Sequence, residues 1–376
     1  MKTHNGYASV LAMTIGGMLA ASPAHAFEFN IYGVGHLSAD SVDDGSSTDE
    51  GVASNSSRLG FKGNHDLGGG MKALFQAEAG IDLTGQGGND GNGGSPDDGD
   101  VFTNARDSYV GLAGDWGTLL AGKLGGLNQW VYDYNLFADQ VGDLGNIWGG
   151  SGLPGRVTST LHYRTPDFSG LSVGFSYIPD EDNIAAAPNI TPAASAPLPS
   201  DPSPPNVNSD DIWLVKADYA SGGLKLGGAY TNIDLRANDW EVWAITGSYD
   251  FGRFTVGGGW QNESDMGGAA GNDRDSYTLG ASAKVGTSGT VKAQVAHSDG
   301  DASNSDATQW AVGYDHALNK YVTVYGAYAA TDNDSAAAFS ANNYGKGDAV
   351  TPALGDDPGA FSIGLVVTFD AQVWPR

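Results

Sequence analysis

The stretch Asp66-Leu-Gly-Gly-Gly-Met-Lys-Ala-Leu-Phe-Gln-Ala-Glu-Ala-Gly-Ile81 decides the fold class. After a glycine-rich turn, small or apolar residues recur at every second position: Met71, Ala73, Phe75, Ala77, Ala79 and Ile81. Polar Lys72, Gln76 and Glu78 stand between them. A period of two is typical of a β-strand with one apolar and one polar face.

The same alternation continues along the rest of the chain, for example over 171–177, 243–250, 277–285 and 361–369. Strands of about ten residues are long for a soluble sheet and suit a tilted membrane strand. Seven short connections alternate with eight longer polar stretches, which lie near 40–54, 84–102, 124–155, 180–210, 232–239, 262–274, 299–306 and 331–359. The pattern predicts an all-β fold, a transmembrane antiparallel β-barrel of about sixteen strands, with short periplasmic turns and long external loops. A β-sandwich is the alternative, but it does not require loops that alternate in length.

Composition excludes several other classes of protein. The chain of 376 residues has 18 Lys and Arg against 44 Asp and Glu, which gives 18 − 44 = −26. Such an acidic chain has no electrostatic basis for nucleic-acid binding. It contains no Cys, so disulfides, Cys-ligated zinc and iron–sulfur clusters are excluded. The mean hydropathy of −0.26 argues against a polytopic helical membrane protein.

The first 26 residues have the form of a secretory signal peptide. Lys2 precedes an apolar run, Val10 to Ala21, and Ala24-His25-Ala26 provides a small-residue cleavage site. A run of this length is too short to span a bilayer, so we expect cleavage after Ala26 and export of the mature chain. Residues 27–376 then form one barrel domain. The Ala/Pro-rich segment within 180–210 is interpreted as an external loop rather than a domain linker, because the strand pattern resumes at Ile212.

Motifs that carry catalytic or cofactor chemistry are incomplete. Gly117 to Lys123 matches the start of a phosphate-binding loop, but Leu124 stands where a Ser or Thr is needed. Asp90-Gly-Asn92 begins like a calcium loop, but Val101 takes the place of the closing Glu. No Ser/His/Asp set can be selected without arbitrary choice. We therefore expect no enzyme activity and no cofactor; loose calcium binding by the acidic loops is left open.

The most informative group of residues is a set of arginines and aspartates that would face one another inside the barrel. By strand parity Arg58 and Arg156 point into the barrel, and Arg106 is assigned there with them. Segment 124–155 contains Asp133, Asp139 and Asp143 among five aromatic residues: Trp130, Tyr132, Tyr134, Phe137 and Trp148. An aromatic loop folded inward would aim its carboxylates at the arginines and narrow the pore. The alternative is an external loop with solvated charges.

Several stretches resemble Gram-negative general porins. They are Ser57-Arg-Leu-Gly-Phe-Lys-Gly63, the run from Asp66 to Glu78, Ala105-Arg-Asp-Ser-Tyr-Val-Gly-Leu-Ala-Gly-Asp-Trp-Gly-Thr118 with Gly122-Lys123, and Tyr163-Arg-Thr-Pro-Asp-Phe-Ser-Gly170. The resemblance implies a trimeric barrel of sixteen strands in the outer membrane. Its third loop would fold inward, and Arg58, Arg106 and Arg156 would be the arginines of the constriction. Outer-membrane lipid, periplasmic chaperones and the barrel-assembly machinery are the implied partners.

The C-terminus departs from this family's pattern. Such porins usually end on an aromatic residue, whereas Asp370-Ala-Gln-Val-Trp-Pro-Arg376 follows Phe369 here. Alternation can continue through Ala371 and Val373, so the tail could extend the last strand.

The function expected from these features is passive diffusion of ions and small hydrophilic solutes, with weak cation preference. Removal of 1–26 takes away Lys2, the only charged residue there, so 17 − 44 = −27 remains on the mature chain. Acidic mouths would concentrate cations, while the arginines oppose this locally. The alternatives are an adhesin or receptor acting through the acidic loops, an outer-membrane hydrolase, and a phosphate-specific channel.

Overall fold

A computed structural model of the chain describes residues 27–85, 101–149, 153, 155–179, 209–235 and 238–374. The expected signal peptide, the calcium-like motif at Asp90 and most of the predicted external loop 180–210 lie outside the described residues.

Over the described residues the backbone forms eighteen strand segments in one sheet. They are β1 (Phe27–Asp43), β2 (Thr48–Ser54), β3 (Arg58–Gly68), β4 (Met71–Ile81), β5 (Phe102–Ala105), β6 (Ser108–Gly114), β7 (Gly117–Gly125), β8 (Arg156–Arg164), β9 (Leu171–Pro179), β10 (Ser209–Ser221), β11 (Leu224–Leu235), β12 (Trp240–Asp250), β13 (Phe254–Ser264), β14 (Arg274–Val285), β15 (Gly289–Gly300), β16 (Ala307–Asn319), β17 (Val322–Asn333) and β18 (Gly359–Trp374).

Two of the barrel strands are interrupted, so the segments make 18 − 2 = 16 strands. β1 pairs with both β2 and β3, and β4 pairs with both β5 and β6. β1 also pairs with β18 from Phe29 to Asp43, which closes the sheet. The predicted antiparallel barrel of about sixteen strands is confirmed. Arg106 lies in the break between β5 and β6.

The strand alternation separates a lipid-facing surface from the barrel interior. On β12, Trp243 and Ile245 are 51% and 60% exposed, whereas Val242 and Ala244 are buried. Exposed apolar side chains at every second position are what a barrel surrounded by hydrocarbon requires. Within the described residues no helix is both long and apolar enough to cross a membrane.

The seven short connections lie at one end of the barrel, as the sequence predicts. At the other end, the prediction of a loop over 40–54 is wrong, because β1 and β2 continue as a paired hairpin and only 44–47 connects them. The Asp44 carboxylate accepts hydrogen bonds at 2.8 Å from the backbone amides of Ser46 and Ser47, which tightens this turn.

Two further segments, the connection before the last strand and the C-terminal tail, differ from what the sequence predicts. The connection 334–358, termed the eighth loop, lies in a stretch that the sequence predicts to be an external loop. Its residues 337–342 are nevertheless buried. The tail beyond Phe369 extends β18, and Trp374 pairs with Phe29. The last strand therefore continues past the position where the resembling family ends.

Candidate pore constriction

The connection between β7 and β8, residues 126–155, is termed the third loop. It contains a 3-10 turn, Gln129–Tyr132, and a short helix, α1 (Gly145–Trp148). Trp130, Phe137 and Trp148 are each at most 1% exposed. Side chains of this size lose water contact only by packing against another surface, and here that surface is the inner wall of the barrel.

The aromatic side of the third loop packs on an apolar patch of the wall. Trp130 and Trp148 belong to one buried cluster with Leu214, Ile233 and Val242, which come from β10, β11 and β12. Phe137 packs in a second cluster against β16 and β17. The loop thus covers apolar residues that would otherwise face the lumen.

Polar side chains of the wall fix the loop at defined points. Gln261 on β13 accepts a hydrogen bond from Trp130 Nε1 at 2.6 Å, and its amide donates to the carbonyl of Trp148 at 3.1 Å. Gln294 on β15 accepts from the Leu136 amide at 3.1 Å. Buried polar groups that are satisfied in this way favour one position of the loop over others.

The three predicted arginines lie on the wall opposite the loop, each beside an acid. Arg106 Nε is 2.5 Å from Glu78 Oε1 and Arg156 Nε is 2.7 Å from Asp107 Oδ1. Arg58 donates to the carbonyl of Ser56 at 3.0 Å and lies 3.9 Å from Asp139 Oδ2. Glu78 and Asp107 were not among the predicted residues, although Glu78 lies on the polar face of its strand.

Of the three predicted acids, Asp139 faces an arginine across the gap. Asp133 instead accepts hydrogen bonds from Lys216 Nζ at 2.9 Å and Thr246 Oγ1 at 2.8 Å on the far wall. The expectation that it faces Arg58, Arg106 or Arg156 is therefore corrected, because the first turn of the loop lies against β10 and β12.

Asp143 also departs from the expectation, since its carboxylate is buried inside the loop. It accepts hydrogen bonds at 2.7 Å from Asn135 Nδ2 and from the backbone amides of Asp139 and Gly145. It closes the loop on itself instead of facing the wall arginines. A carboxylate that accepts several backbone amides stabilises a turn.

Burial changes the ionisation of both acids in the loop. It raises the pKa of Asp139 above the usual range, although Arg58 and Arg106 oppose this. Burial, together with the neighbouring Asp139 carboxylate, raises the pKa of Asp143 to about 7, against the three hydrogen bonds that favour its charged form. Of the two acids, Asp139 is the one whose carboxylate faces a wall arginine, Arg58.

Within the described ranges, no group of three or more His, Asp or Glu side chains is arranged to hold a metal ion. The arrangement instead brings partly exposed opposite charges together inside the barrel: the Arg58 and Asp139 side chains are 28% and 26% exposed. Such a pair orients water and charged solutes without a chemical step.

Comparisons with known proteins identify the family of the chain. A family model described as Gram-negative porin matches residues 8–336. Outer membrane porin protein 32 of Delftia acidovorans is 32% identical over 292 residues, which cover 74% of this chain and 75% of that protein.

Solved structures give the same fold. An anion-selective porin from Comamonas acidovorans is 27% identical, with a TM-score of 0.70 over 91% of this chain and all of that one. The trimer form of OmpT from Vibrio cholerae has a TM-score of 0.65 at 17% identity, covering 92% of this chain and 100% of that chain. The resemblance stated from the sequence is confirmed: the chain belongs to the Gram-negative porin family and is an outer-membrane porin.

Proposed function

We propose that this porin is a passive diffusion channel for ions and small hydrophilic solutes, with no chemical step and no cofactor. The observation that carries this proposal is the water-accessible Arg58–Asp139 pair, 3.9 Å apart, inside a closed barrel. In a sealed lumen the two side chains would lose this contact with water, and further hydrogen bonds would be needed to offset the loss of hydration. The alternative of an adhesin or receptor requires a channel that does not conduct.

Two sets of charges act on permeating ions in opposite directions. The chain carries a net formal charge of −26, and acidic side chains are frequent in its long loops. At the constriction, Arg58, Arg106 and Arg156 face Glu78, Asp107 and Asp139; an arginine side chain keeps its positive charge, whereas desolvation raises the pKa of the Asp139 carboxyl. The loops favour cations, and the constriction favours anions.

We expect a weak cation preference that depends on salt concentration. The Debye length falls from about 30 Å at 0.01 M to about 3 Å at 1 M salt. Charges on wide, solvated loops are screened first, whereas charges within a few ångströms of the solute path keep acting. The similar porin from Comamonas acidovorans is anion-selective, which supports a positive contribution from the constriction.

Reversal potentials in planar bilayers test this proposal. A KCl gradient should give cation preference at low salt, and the preference should move toward anions as salt is raised. A channel that prefers anions at all salt concentrations would contradict the contribution of the loops. Absence of single-channel current would contradict the channel itself and favour the receptor alternative.

We also propose assembly as a homotrimer through the first strands, like the OmpT trimer form. Phe27, Phe29, Phe61 and Phe75 form an outward aromatic cluster with ring centroids 6.1 to 6.3 Å apart. Nearby, Gly33 leaves room for the Phe369 ring, which would lie 2.7 Å from an added Cβ. Mass in detergent by light scattering, before and after heating, tests the assembly; a monomer in unheated samples would contradict it.

A further inference from the structure

The eighth loop holds a fully buried lysine inside the barrel. The Lys346 side chain is 0% exposed, and its Nζ lies 2.9 Å from both Ser38 Oγ and Asp40 Oδ2 on β1. Asp348 Oδ1 lies 3.6 Å away. A buried ammonium needs such partners, because taking it out of water without them is costly. Its position therefore ties this loop to the first strand.

A tyrosine of the same loop packs on the third loop. The Tyr344 hydroxyl accepts a hydrogen bond from Asn128 Nδ2 at 2.9 Å, and its ring covers Gly145, where an added Cβ would lie 2.2 Å from the ring. The Asn146 side-chain oxygen accepts from the backbone amides of Asn343 and Tyr344 at 3.1 and 2.7 Å. The two loops are therefore in direct contact, through three hydrogen bonds and the packing of a ring on a glycine.

The junction of the two loops lies beside the constriction pair. Ser56, whose carbonyl holds Arg58, donates through Oγ to the carbonyl of Gly345 at 3.3 Å. On the opposite side, an added Cβ on Gly345 would lie 2.6 Å from Asp139 Oδ1. Gly345 itself has a φ of +73°, in the region that favours glycine. The eighth loop therefore contacts Asp139 and also Ser56, the residue whose carbonyl accepts the hydrogen bond from Arg58.

We infer that Lys346 and Tyr344 are positioning residues that make the eighth loop a brace between β1 and the third loop. The brace fixes the width of the Arg58–Asp139 gap and closes the space behind the third loop. Solutes then pass only between the third loop and the arginine wall. This inference rests on the proposed channel function.

Uptake of neutral sugars of graded size into proteoliposomes tests the brace. Lys346→Met leaves Asp40 without its cation, and Tyr344→Ala removes the packing on Gly145 without touching that ion pair. In both variants we expect entry of sugars that the native channel excludes. Lys320→Met, on an exposed periplasmic turn, makes the same charge change away from the brace and should keep the native size limit.

The outcomes separate the possible failures. If the native channel admits no sugar, the proposed function fails. If it admits small sugars and both variants keep its size limit, the brace is contradicted. If Lys346→Met moves only the reversal potential, the lysine acts through its charge and the inference is also overturned. Heat-modifiable mobility in electrophoresis identifies folded barrels, and Tyr344→Ala keeps the test valid if Lys346→Met does not fold.

Discussion

The Asp133 carboxylate accepts a hydrogen bond from Lys216 Nζ at 2.9 Å, which joins the third loop to β10 on the far side of the barrel. The two side chains are 22% and 13% exposed, so the pair is partly shielded from water. Asp218 also contacts the same ammonium group. Lys216 thus neutralises an acid that would otherwise face permeating ions.

Lys216→Met should shift selectivity toward cations, because it removes a positive charge and frees Asp133. A unit charge about 10 Å from the path in water is worth about 0.4 kcal/mol, or about twofold in permeability ratio. Lys225→Met on β11 is the control, since it removes one exposed charge and leaves Asp133 paired. Equal shifts in reversal potential for the two variants would contradict a role for the Lys216–Asp133 pair.

Arg156→Ala should widen the constriction and increase cation preference. The variant removes one positive charge and also releases Asp107, whose Oδ1 lies 2.7 Å from Arg156 Nε. Both side chains are about one-third exposed, so the effect on the free energy of unfolding should be within about 1 kcal/mol. Single-channel conductance and reversal potential are the measurements.

Arg253→Ala, at an exposed periplasmic turn, is the matched control and should leave both quantities near the native values. Native conductance and native reversal potential in Arg156→Ala would place this arginine outside the passage.

Removal of part of 130–148 should raise conductance more than any deletion in 185–206. The first segment contains the third-loop aromatics that pack on the wall, and its loss would also expose apolar wall residues and lower stability. Single-channel conductance compares the two deletions directly. If the 185–206 deletion opens the channel and the 130–148 deletion does not, the constriction is formed by the other loop.

The strand pattern was predictable because membrane and water impose it locally. Trp243 and Ile245 face hydrocarbon, and their neighbours Val242 and Ala244 face inward. The alternation within a single strand therefore indicates which of its faces points out of the barrel. The same parity placed Arg58 inside the barrel. It could also have indicated Glu78, which lies on the polar face of the quoted stretch.

Partners across the barrel were not predictable, because they depend on contacts between distant parts of the chain. Lys346 and Asp40 are 306 residues apart, and only barrel closure brings them together. The same reason explains why Asp133 was assigned to the arginines rather than to Lys216. A local signal for the eighth loop does exist: Ala336, Ala337, Ala338 and Phe339 are apolar within a polar stretch.

Stability of the third loop should fall as pH rises toward about 7, because Asp143 has a pKa raised to about 7 in the folded protein. In the unfolded chain an aspartate titrates near 3.9, so the folded state binds the additional proton between these values. The stabilisation is complete below about pH 4 and is lost by the time pH exceeds 7. The midpoint of thermal denaturation, measured from pH 4.5 to 8.5, should decrease and then level off. Asp143→Asn should flatten this profile; a native midpoint that rises over the same range would contradict the role assigned to buried Asp143.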